Sequence, residues 1–320
     1  MNNFSDELKN LFQERLKENE LLSKHTNFRI GGPARWFIEA KNSDEVFKAI
    51  QLAGQSGIKW FVMGGGSNTL ASDTGFDGLV VQLAMRNYKI EGTTVMAEAG
   101  VPTGALARAT AEAGLAGFEW AVTLPGTIGG AVRGNAGCFG GEMKDTIKEV
   151  AVLRDGKPVT LNNHEMNFGY RDSAIKHSRD IVISVTLELK PGDPIVLKTK
   201  IEELIAKRKA SQPFYGGSAG CVFKNYKIRD GEIDRIKQDA DIPPEMLAKG
   251  QISAGWLIEQ MDLKGKQIDG AKISEEHGNF IVNTGDARAD DVMQLISIVK
   301  MNARDRFGIQ LEEEVEYLGF

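Results

Sequence analysis

The chain has 320 residues, 42% hydrophobic and 26% charged, which is long enough for two or three domains with sizeable cores. A net charge of −5 argues against a nucleic-acid partner, because binding a phosphate backbone needs a basic face. The sequence opens without the basic start and apolar stretch of a secretory signal, and no window approaches the roughly 18 apolar residues of a membrane span. We therefore expect a cytoplasmic protein that acts on small molecules, without a nucleic-acid or membrane partner.

Two cysteines are too few for a disulfide framework or a cysteine metal site, and the four histidines show no metal-ligand spacing. We expect no metal. The oligomeric state expected is a monomer.

The first half of the chain mixes helix and strand patterns. A helix is predicted from Ser5 to about Lys17, and a strand, a helix and a strand follow at 35–40, 43–53 and 59–62. Further strands are predicted at 78–83, 88–91 and 95–98, with a helix at 103–113. The pattern at 35–62 indicates a βαβ-like unit that ends at a glycine triplet.

The second half continues the sheet and then changes character. Strands are predicted at 148–153 and 181–189, and the turn at 191–194 is a predicted boundary. Helices are predicted at 196–210, at 256–261 with Ser253 as the cap, and at 292–307 with Asp290 or Asp291 as the cap. A last strand is predicted at 313–318.

Glycine is over-represented, at 36 residues, and its doublets and triplets lie in separate loops. The segment Gly64-Gly65-Gly66-Ser67-Asn68 follows a predicted strand, and bare backbone N–H groups at such a place can hold a diphosphate. It is not a dinucleotide-binding G-x-G-x-x-G motif, and the lysine of a Walker A motif is absent. Taken by itself, it is equally a flexible turn.

The segment from Pro125 to Gly137 (PGTIGGAVRGNAG) is a second run of small residues. Its alternative interpretation is a tight crossover without a ligand. Two glycine loops separated by strands and a helix suit a long ligand whose pyrophosphate lies against bare backbone on both sides.

Several segments along the chain resemble the motifs of a known family. The successive segments are similar to the motifs of the UDP-N-acetylenolpyruvoylglucosamine reductases (UDP-N-acetylmuramate dehydrogenases, the MurB family), in the same order and with the same spacing. They cover nearly the whole chain: NFRIGGPA (27–34), MGGGSN (63–68), 124–137, FGYRDS (168–173), SAGCVFKN (218–225), LKG (263–265), 274–283 and 311–319.

The resemblance implies an α+β fold: an FAD-binding module of the vanillyl-alcohol-oxidase (PCMH) type in two subdomains, followed by a C-terminal α+β substrate domain. The expected division is 1–85, 86–194 and 195–320, with the last strand returning to the FAD module as an open possibility. The implied reaction transfers hydride from NADPH to FAD, then from flavin N5 to C3 of the enolpyruvyl group. A protein acid protonates C2, and the product, UDP-N-acetylmuramate, serves peptidoglycan synthesis.

The resemblance also implies site residues. Cys221 stands where serine is commonest, and a thiol can act as the proton donor to C2; the alternative is a small buried cysteine. Arg171 matches the arginine that holds the enolpyruvyl carboxylate, the alternative being a salt bridge to Asp172. Glu314 matches a catalytic glutamate, with a one-residue slip to Glu313 left open.

The remaining implied contacts are to cofactor and substrate. Those to substrate are Tyr170, Asn225 and one of Lys207, Arg208 and Lys209, with Lys209 preferred; the alternative is that these three cations only complement the helix dipole. His277 receives no chemical role. Arg133-Gly134 and Tyr226 depart from the usual family residues, and the loop that carries a substrate-capping tyrosine is missing. Those to FAD are Arg29, Gly64, Gly65, Gly66, Ser67, Asn68, Gly126, Thr127, Gly129, Gly130, Ala131, Asn135 and Gly137.

Two other functions stay open at this stage. The first is an FAD-dependent oxidase of alcohols or sugars on the same fold. The second is an inactive protein that binds a nucleotide sugar.

Overall fold

The computed structural model describes residues 2–213, 215–229, 231–237 and 239–320. Its α-helices are α1 (Asn2–Phe12), α2 (Ser43–Gln55), α3 (Thr103–Glu112), α4 (Ile128–Arg133), α5 (Pro194–Ser211), α6 (Ile233–Ile236), α7 (Pro244–Ala248), α8 (Ala254–Gln260) and α9 (Ala289–Phe307). Within the described ranges, no helix is both long enough and apolar enough to cross a bilayer.

The strands are short and numerous. They are β1 (Lys17–Leu21), β2 (Pro33–Ala40), β3 (Trp60–Met63), β4 (Thr69–Ala71), β5 (Phe76–Leu83), β6 (Tyr88–Glu91), β7 (Thr94–Glu98), β8 (Leu115–Ala116), β9 (Gly137–Cys138), β10 (Gly141–Glu142), β11 (Ile147–Arg154), β12 (Lys157–Asn162), β13 (Ile181–Glu188), β14 (Lys190–Pro191), β15 (Tyr226–Lys227), β16 (Gln251–Ile252), β17 (Gln267–Ile268), β18 (Ala271–Ile273), β19 (Ile281–Asn283) and β20 (Glu316–Leu318).

The chain divides into two compact units, and the first comprises Met1–Glu20, Ala34–Gly66 and Phe76–Ala210. One of its sheets has the order β1-β2-β5-β3, in which β2, β5 and β3 run parallel. Neighbouring residues of β2, Phe37 and Ile38, are both fully buried, as is typical of parallel strands covered on both faces. The crossover helix α2 is capped by Asn42, whose side chain accepts a hydrogen bond from Glu45 N at 2.9 Å.

The other large sheet of this unit is antiparallel, in the order β12-β11-β13-β7-β6. The helix α4 packs on β13 and β7 of this sheet. The sequence analysis missed β12, which Asp155-Gly156 joins to β11 with φ values of 48° and 77°. Two residues with positive φ form the tight hairpin turn for which Asp-Gly is favoured, so this dipeptide could have revealed the strand.

The second unit comprises Leu21–Pro33, Ser67–Gly75 and Ser211–Phe320. It contains the sheet β17-β18-β19 and the parallel pair β4 and β20, in which Leu70 lies opposite Tyr317. Its core includes the fully buried Phe28, Phe223 and Phe307.

The predicted strands and most helices lie within a few residues of their observed positions, but three predictions need correction. The predicted helix at 5–17 ends at Phe12, and Lys17 begins a strand, because Gln13 has a left-handed backbone (φ 49°) that α-helix excludes. The last strand begins at Glu316 and not at Glu313, which forms an isolated bridge with Phe223. The helix α9 begins at Ala289, so Asp290 and Asp291 lie in its first turn and neither is its N-cap; Asp291 accepts from Arg288 N, and the carboxylate of Asp73 accepts from Ala289 N and Asp290 N.

The compact units are drawn differently from the predicted domains. The helix α5 contributes Leu197, Ile201 and Leu204 to the core of the first unit. The division at 85 and 194 stays a prediction.

Candidate functional site

The two glycine segments of the first unit lie directly against each other. A Cβ added at Gly64 would lie 2.4 Å from Thr127 Oγ1, and one added at Gly65 would lie 2.9 Å from Gly126 Cα. Real Cβ atoms do not approach backbone or side-chain atoms so closely, so both positions require glycine. The sequence analysis predicted one ligand between these segments, and the structure brings the segments together.

The hydroxyl of Thr127 is the polar group at this contact. Thr127 immediately precedes α4, and its Oγ1 is buried without a hydrogen-bond partner among the residues that the structure describes. Buried hydroxyl groups in native proteins nearly always have a hydrogen-bond partner. A buried hydroxyl without one, beside bare backbone, indicates a place where a ligand atom binds. The glycine cradle and the orphan hydroxyl fit a ligand with exposed oxygens, such as the pyrophosphate of FAD.

A cavity of about 260 Å³ lies against Gly64 and against Gly129 and Gly130 of α4. Its wall combines aromatic and aliphatic surface with two cations, which suits the adenosine end of a dinucleotide. Arg133, one of the departures from the family sequence, belongs to this wall. The lining residues are Trp60, Phe61, Val62, Gly64, Leu83, Gly129, Gly130, Arg133, Ile175, Ser178, Arg179, Asp180, Ile181 and Val182.

Ser67 and Asn68 belong to the second unit, as does Arg29. The side-chain amide of Asn68 donates to Glu314 O at 2.8 Å, and Glu316 N donates to Asn68 O at 2.9 Å. Asn68 therefore anchors the segment that carries Glu314. Arg29 is exposed and has a left-handed backbone, with φ 56°.

Arg171 lies in a tight turn of the first unit. Gly169 and Asp172 form an isolated bridge, so Tyr170 and Arg171 occupy the turn between them, and Arg171 has φ 55°. Its Nη2 donates to Gly137 O at 2.8 Å, and its guanidinium lies 5.2 Å from the centre of the Tyr170 ring. The carboxylate of Asp172, the alternative partner considered for Arg171, hydrogen-bonds His177 Nε2 at 2.9 Å.

Cys221 and Glu314 lie on neighbouring extended segments of the second unit. Glu314 N donates to Val222 O at 2.7 Å, and Cys221 pairs with Phe280 in an isolated bridge. The buried amide of Asn279 fixes the same segment, since it accepts from Phe223 N at 2.9 Å and donates to Phe223 O at 2.8 Å. Cys221 is half-buried.

Glu313 and Glu314 have different surroundings. The carboxylate of Glu313 pairs with Lys300 of α9 at 2.7 Å, and its charge, after burial, raises the pKa of Tyr317 to about 12. Glu313 thus has a structural partner, and the catalytic role of Glu314 stays a prediction.

Of the predicted substrate contacts, Tyr170 is exposed beside Arg171, and Asn225 accepts a hydrogen bond from Ala254 N at 3.1 Å, at the start of α8. Lys209 is exposed, but its neighbour Arg208 is half-buried. Burial raises the pKa of the Cys138 thiol, and the nearby positive charges of Arg208 and Arg171 oppose that rise.

His277 has a structural environment. Its Nδ1 accepts from Asn279 N at 3.2 Å, and its ring lies edge-on to Phe280 at 4.8 Å. These contacts place His277 in the packing of the second unit, and no chemical role is proposed for it.

Comparison with known proteins identifies both parts of the chain. Residues 34–162 match the family described as FAD binding domain, and residues 212–318 match the family described as UDP-N-acetylenolpyruvoylglucosamine reductase, C-terminal domain. The predicted fold class is thereby confirmed.

Full-length relatives carry the same name. The UDP-N-acetylenolpyruvoylglucosamine reductase of Caldanaerobacter subterraneus subsp. tengcongensis is 38% identical over 317 residues, which is 98% of this chain and 97% of the relative. That of Clostridioides difficile is 36% identical over 97% of this chain and 95% of its own. The crystal structure of the enzyme from Thermus caldophilus superposes with a TM-score of 0.76 at 35% identity, covering 95% of this chain and 99% of that one.

The match to an FAD binding domain supports FAD as the predicted cofactor, and the protein is an FAD-dependent oxidoreductase. Its sequence, its fold and its glycine cradle agree, and the chain belongs to the UDP-N-acetylenolpyruvoylglucosamine reductase family.

Proposed function

We propose that this protein reduces UDP-N-acetylglucosamine enolpyruvate to UDP-N-acetylmuramate, a precursor of peptidoglycan, at the expense of NADPH. The observation that carries the proposal is the contact of Gly64 and Gly65 with Gly126 and Thr127, which leaves a buried hydroxyl facing bare backbone, in a chain of this family. We place the protein in the cytoplasm as a monomer without a nucleic-acid partner.

The two glycine segments hold the pyrophosphate of FAD, with Thr127 Oγ1 as one donor to it. Ala131 and Gly137 belong to the second glycine segment, and Ser67 and Arg29 are further proposed contacts to FAD. Bound FAD would supply the hydride chemistry, in which hydride from NADPH would reach C3 of the enolpyruvyl group by way of flavin N5.

Arg171 holds the enolpyruvyl carboxylate. Addition of hydride at C3 moves an electron pair onto C2 and into that carboxylate, and a fixed guanidinium stabilises the resulting charge. The hydrogen bond from Nη2 to Gly137 O and the stacking on Tyr170 fix the guanidinium before substrate arrives.

Cys221 gives its thiol proton to C2, which forms the C–H bond and leaves a thiolate that solvent reprotonates. A thiol with an ordinary pKa of about 8.5 is protonated at neutral pH and transfers its proton more readily than a hydroxyl group. Glu314 is the acid that assists this transfer. Lys209, or the half-buried Arg208, and Asn225 bind the UDP portion.

The direct test is an anaerobic titration of purified protein. We expect a yellow protein with flavin absorbance that bleaches on addition of NADPH and regains its colour with the enolpyruvyl sugar nucleotide. A colourless protein that takes up no FAD would overturn the proposal. Bleaching by a simple alcohol in place of NADPH, with colour restored by oxygen, would favour an oxidase, and bleaching by NADPH without recovery on addition of the sugar nucleotide would favour an inactive binding protein.

Gly65→Ala tests the cradle. The added methyl group meets Gly126 Cα at 2.9 Å, and overpacking of about 1–3 kcal/mol predicts FAD binding weaker by roughly tenfold or more. Flavin fluorescence measures the affinity. Gly54→Ala in α2 is the control, because its Cβ meets nothing within 4 Å and binding should be unchanged. Equal FAD affinity in Gly65→Ala and wild type would contradict the cradle.

Cys221→Ala tests the proton donor. We expect the rate of flavin reoxidation by the enolpyruvyl substrate to fall by about 10²- to 10⁴-fold, while flavin reduction by NADPH stays normal. Cys221→Ser should retain activity. Cys138→Ala is the matched control in the other half-buried cysteine. Normal reoxidation in Cys221→Ala would show that another group donates the proton.

The pair Glu314→Gln and Glu313→Gln decides which acid acts. We expect Glu314→Gln to slow the same reoxidation step by about 10²-fold or more. Glu313→Gln should leave this rate near wild type and lower thermal stability slightly, because it weakens a partly exposed pair with Lys300. Stopped-flow absorbance and a melting curve measure both, and the reverse result would transfer the role to Glu313.

A further inference from the structure

The side-chain amide of Asn135 forms three hydrogen bonds within the protein. The residue is fully buried, and its Nδ2 donates to Glu142 Oε2 at 3.0 Å and to Gly169 O at 2.8 Å. Its Oδ1 accepts from Lys144 N at 3.0 Å. Two amide hydrogens and one acceptor site are therefore committed, which leaves little of this side chain for a cofactor.

These three bonds join two segments that both touch Arg171. Gly169 begins the turn that presents Arg171, and Glu142 ends the hairpin of β9 and β10. That hairpin begins at Gly137, whose carbonyl receives the Arg171 guanidinium at 2.8 Å. Asn135 thus holds the backbone of Arg171 on one side and the support of its guanidinium on the other.

The turn needs such support, because Arg171 has a left-handed backbone that disfavours residues with a Cβ. A second tie, from Ser173 Oγ to Arg133 O at 2.7 Å, holds the far side of the turn. Asparagine suits position 135 in two respects. It tolerates its own φ of 41°, and it supplies two donors and an acceptor, where aspartate would set a carboxylate against Gly169 O and Glu142.

We propose that Asn135 is a positioning residue for Arg171 and acts on the reaction through that arginine. This inference deepens the proposed function and rests on the role given there to Arg171. It gives Asn135 a task different from the direct FAD contact that the family resemblance implies.

Asn135→Gly is the test variant, because glycine accepts the left-handed backbone and removes only the side-chain bonds. We expect reoxidation of reduced flavin by the enolpyruvyl substrate to slow by about ten- to a hundredfold, the equivalent of one buried hydrogen bond, with an unchanged dissociation constant for FAD. Asn167→Gly is the matched control, since Asn167 has φ 43° and is exposed; its rate should equal wild type.

A double-mutant cycle separates positioning from a general loss of structure. If Asn135 acts through Arg171, Asn135→Gly should cost little in an Arg171→Ala background, so that the double variant matches Arg171→Ala. Additive losses would overturn the inference, and so would a weakened affinity for FAD with normal reoxidation, which would make Asn135 a cofactor ligand.

The cycle also distinguishes the two levels of proposal. If Arg171→Ala reoxidises at the normal rate, the role of Arg171 is wrong, whatever Asn135 does. If Arg171→Ala is slow and Asn135→Gly is normal, the positioning role alone is wrong. Should Asn135→Gly fail to fold, Asn135→Ser, which keeps a short uncharged polar side chain but loses the two amide donors, enters the same cycle with the same expectation.

Discussion

Gly64 and Gly65, at the end of a parallel strand, meet Gly126 and Thr127, at the start of α4, with no room for a Cβ on either glycine. This approach fixes α4, which is held from its other side where Gly129 presses on Ala99 and Ile128 N donates to Val101 O at 2.9 Å. Contacts on two sides of the first turn of α4 fix the position of the helix. The chain that follows it, including the hairpin at 137–142, is oriented by that position. The cofactor cradle and the support of Arg171 consequently depend on one backbone contact.

Several residues with a strained backbone are proposed site residues or lie beside one. Among the described residues other than glycine, asparagine and aspartate, a positive φ occurs at Gln13, Arg29, Phe139 and Arg171. Such a backbone costs each of them roughly 1–2 kcal/mol, which the surroundings must offset. Arg29 and Arg171 are proposed site residues, and Phe139 is the turn of the hairpin that supports Arg171. Strain retained at these positions is consistent with selection for a fixed guanidinium rather than for stability.

Sequence patterns predicted the structural features that depend on residues close together in the chain. Alternation and capping residues located the strands and helices of the first unit, and the glycine segments were found because close backbone approach excludes every other residue. The predictions that were wrong concern features that depend on residues distant in the sequence. Nothing near α9 in sequence indicates that Asp73 caps it, and the last strand begins at Glu316 because it pairs there with Thr69 of β4. The family resemblance selected Arg171, Cys221 and Glu314, which composition would have passed over.

Two asparagines of the glycine-rich motifs form hydrogen bonds within the protein. Asn68 and Asn135 stand in glycine-rich motifs, and both were expected to face FAD. In the structure Asn68 donates to Glu314 O, and Asn135 donates to Gly169 O, two residues before Arg171. Each amide therefore fixes the backbone beside a proposed catalytic side chain. A short side chain with two donors and one acceptor can replace the regular hydrogen bonds that an irregular loop lacks, and a loop that must hold a reacting group has the greatest need of it.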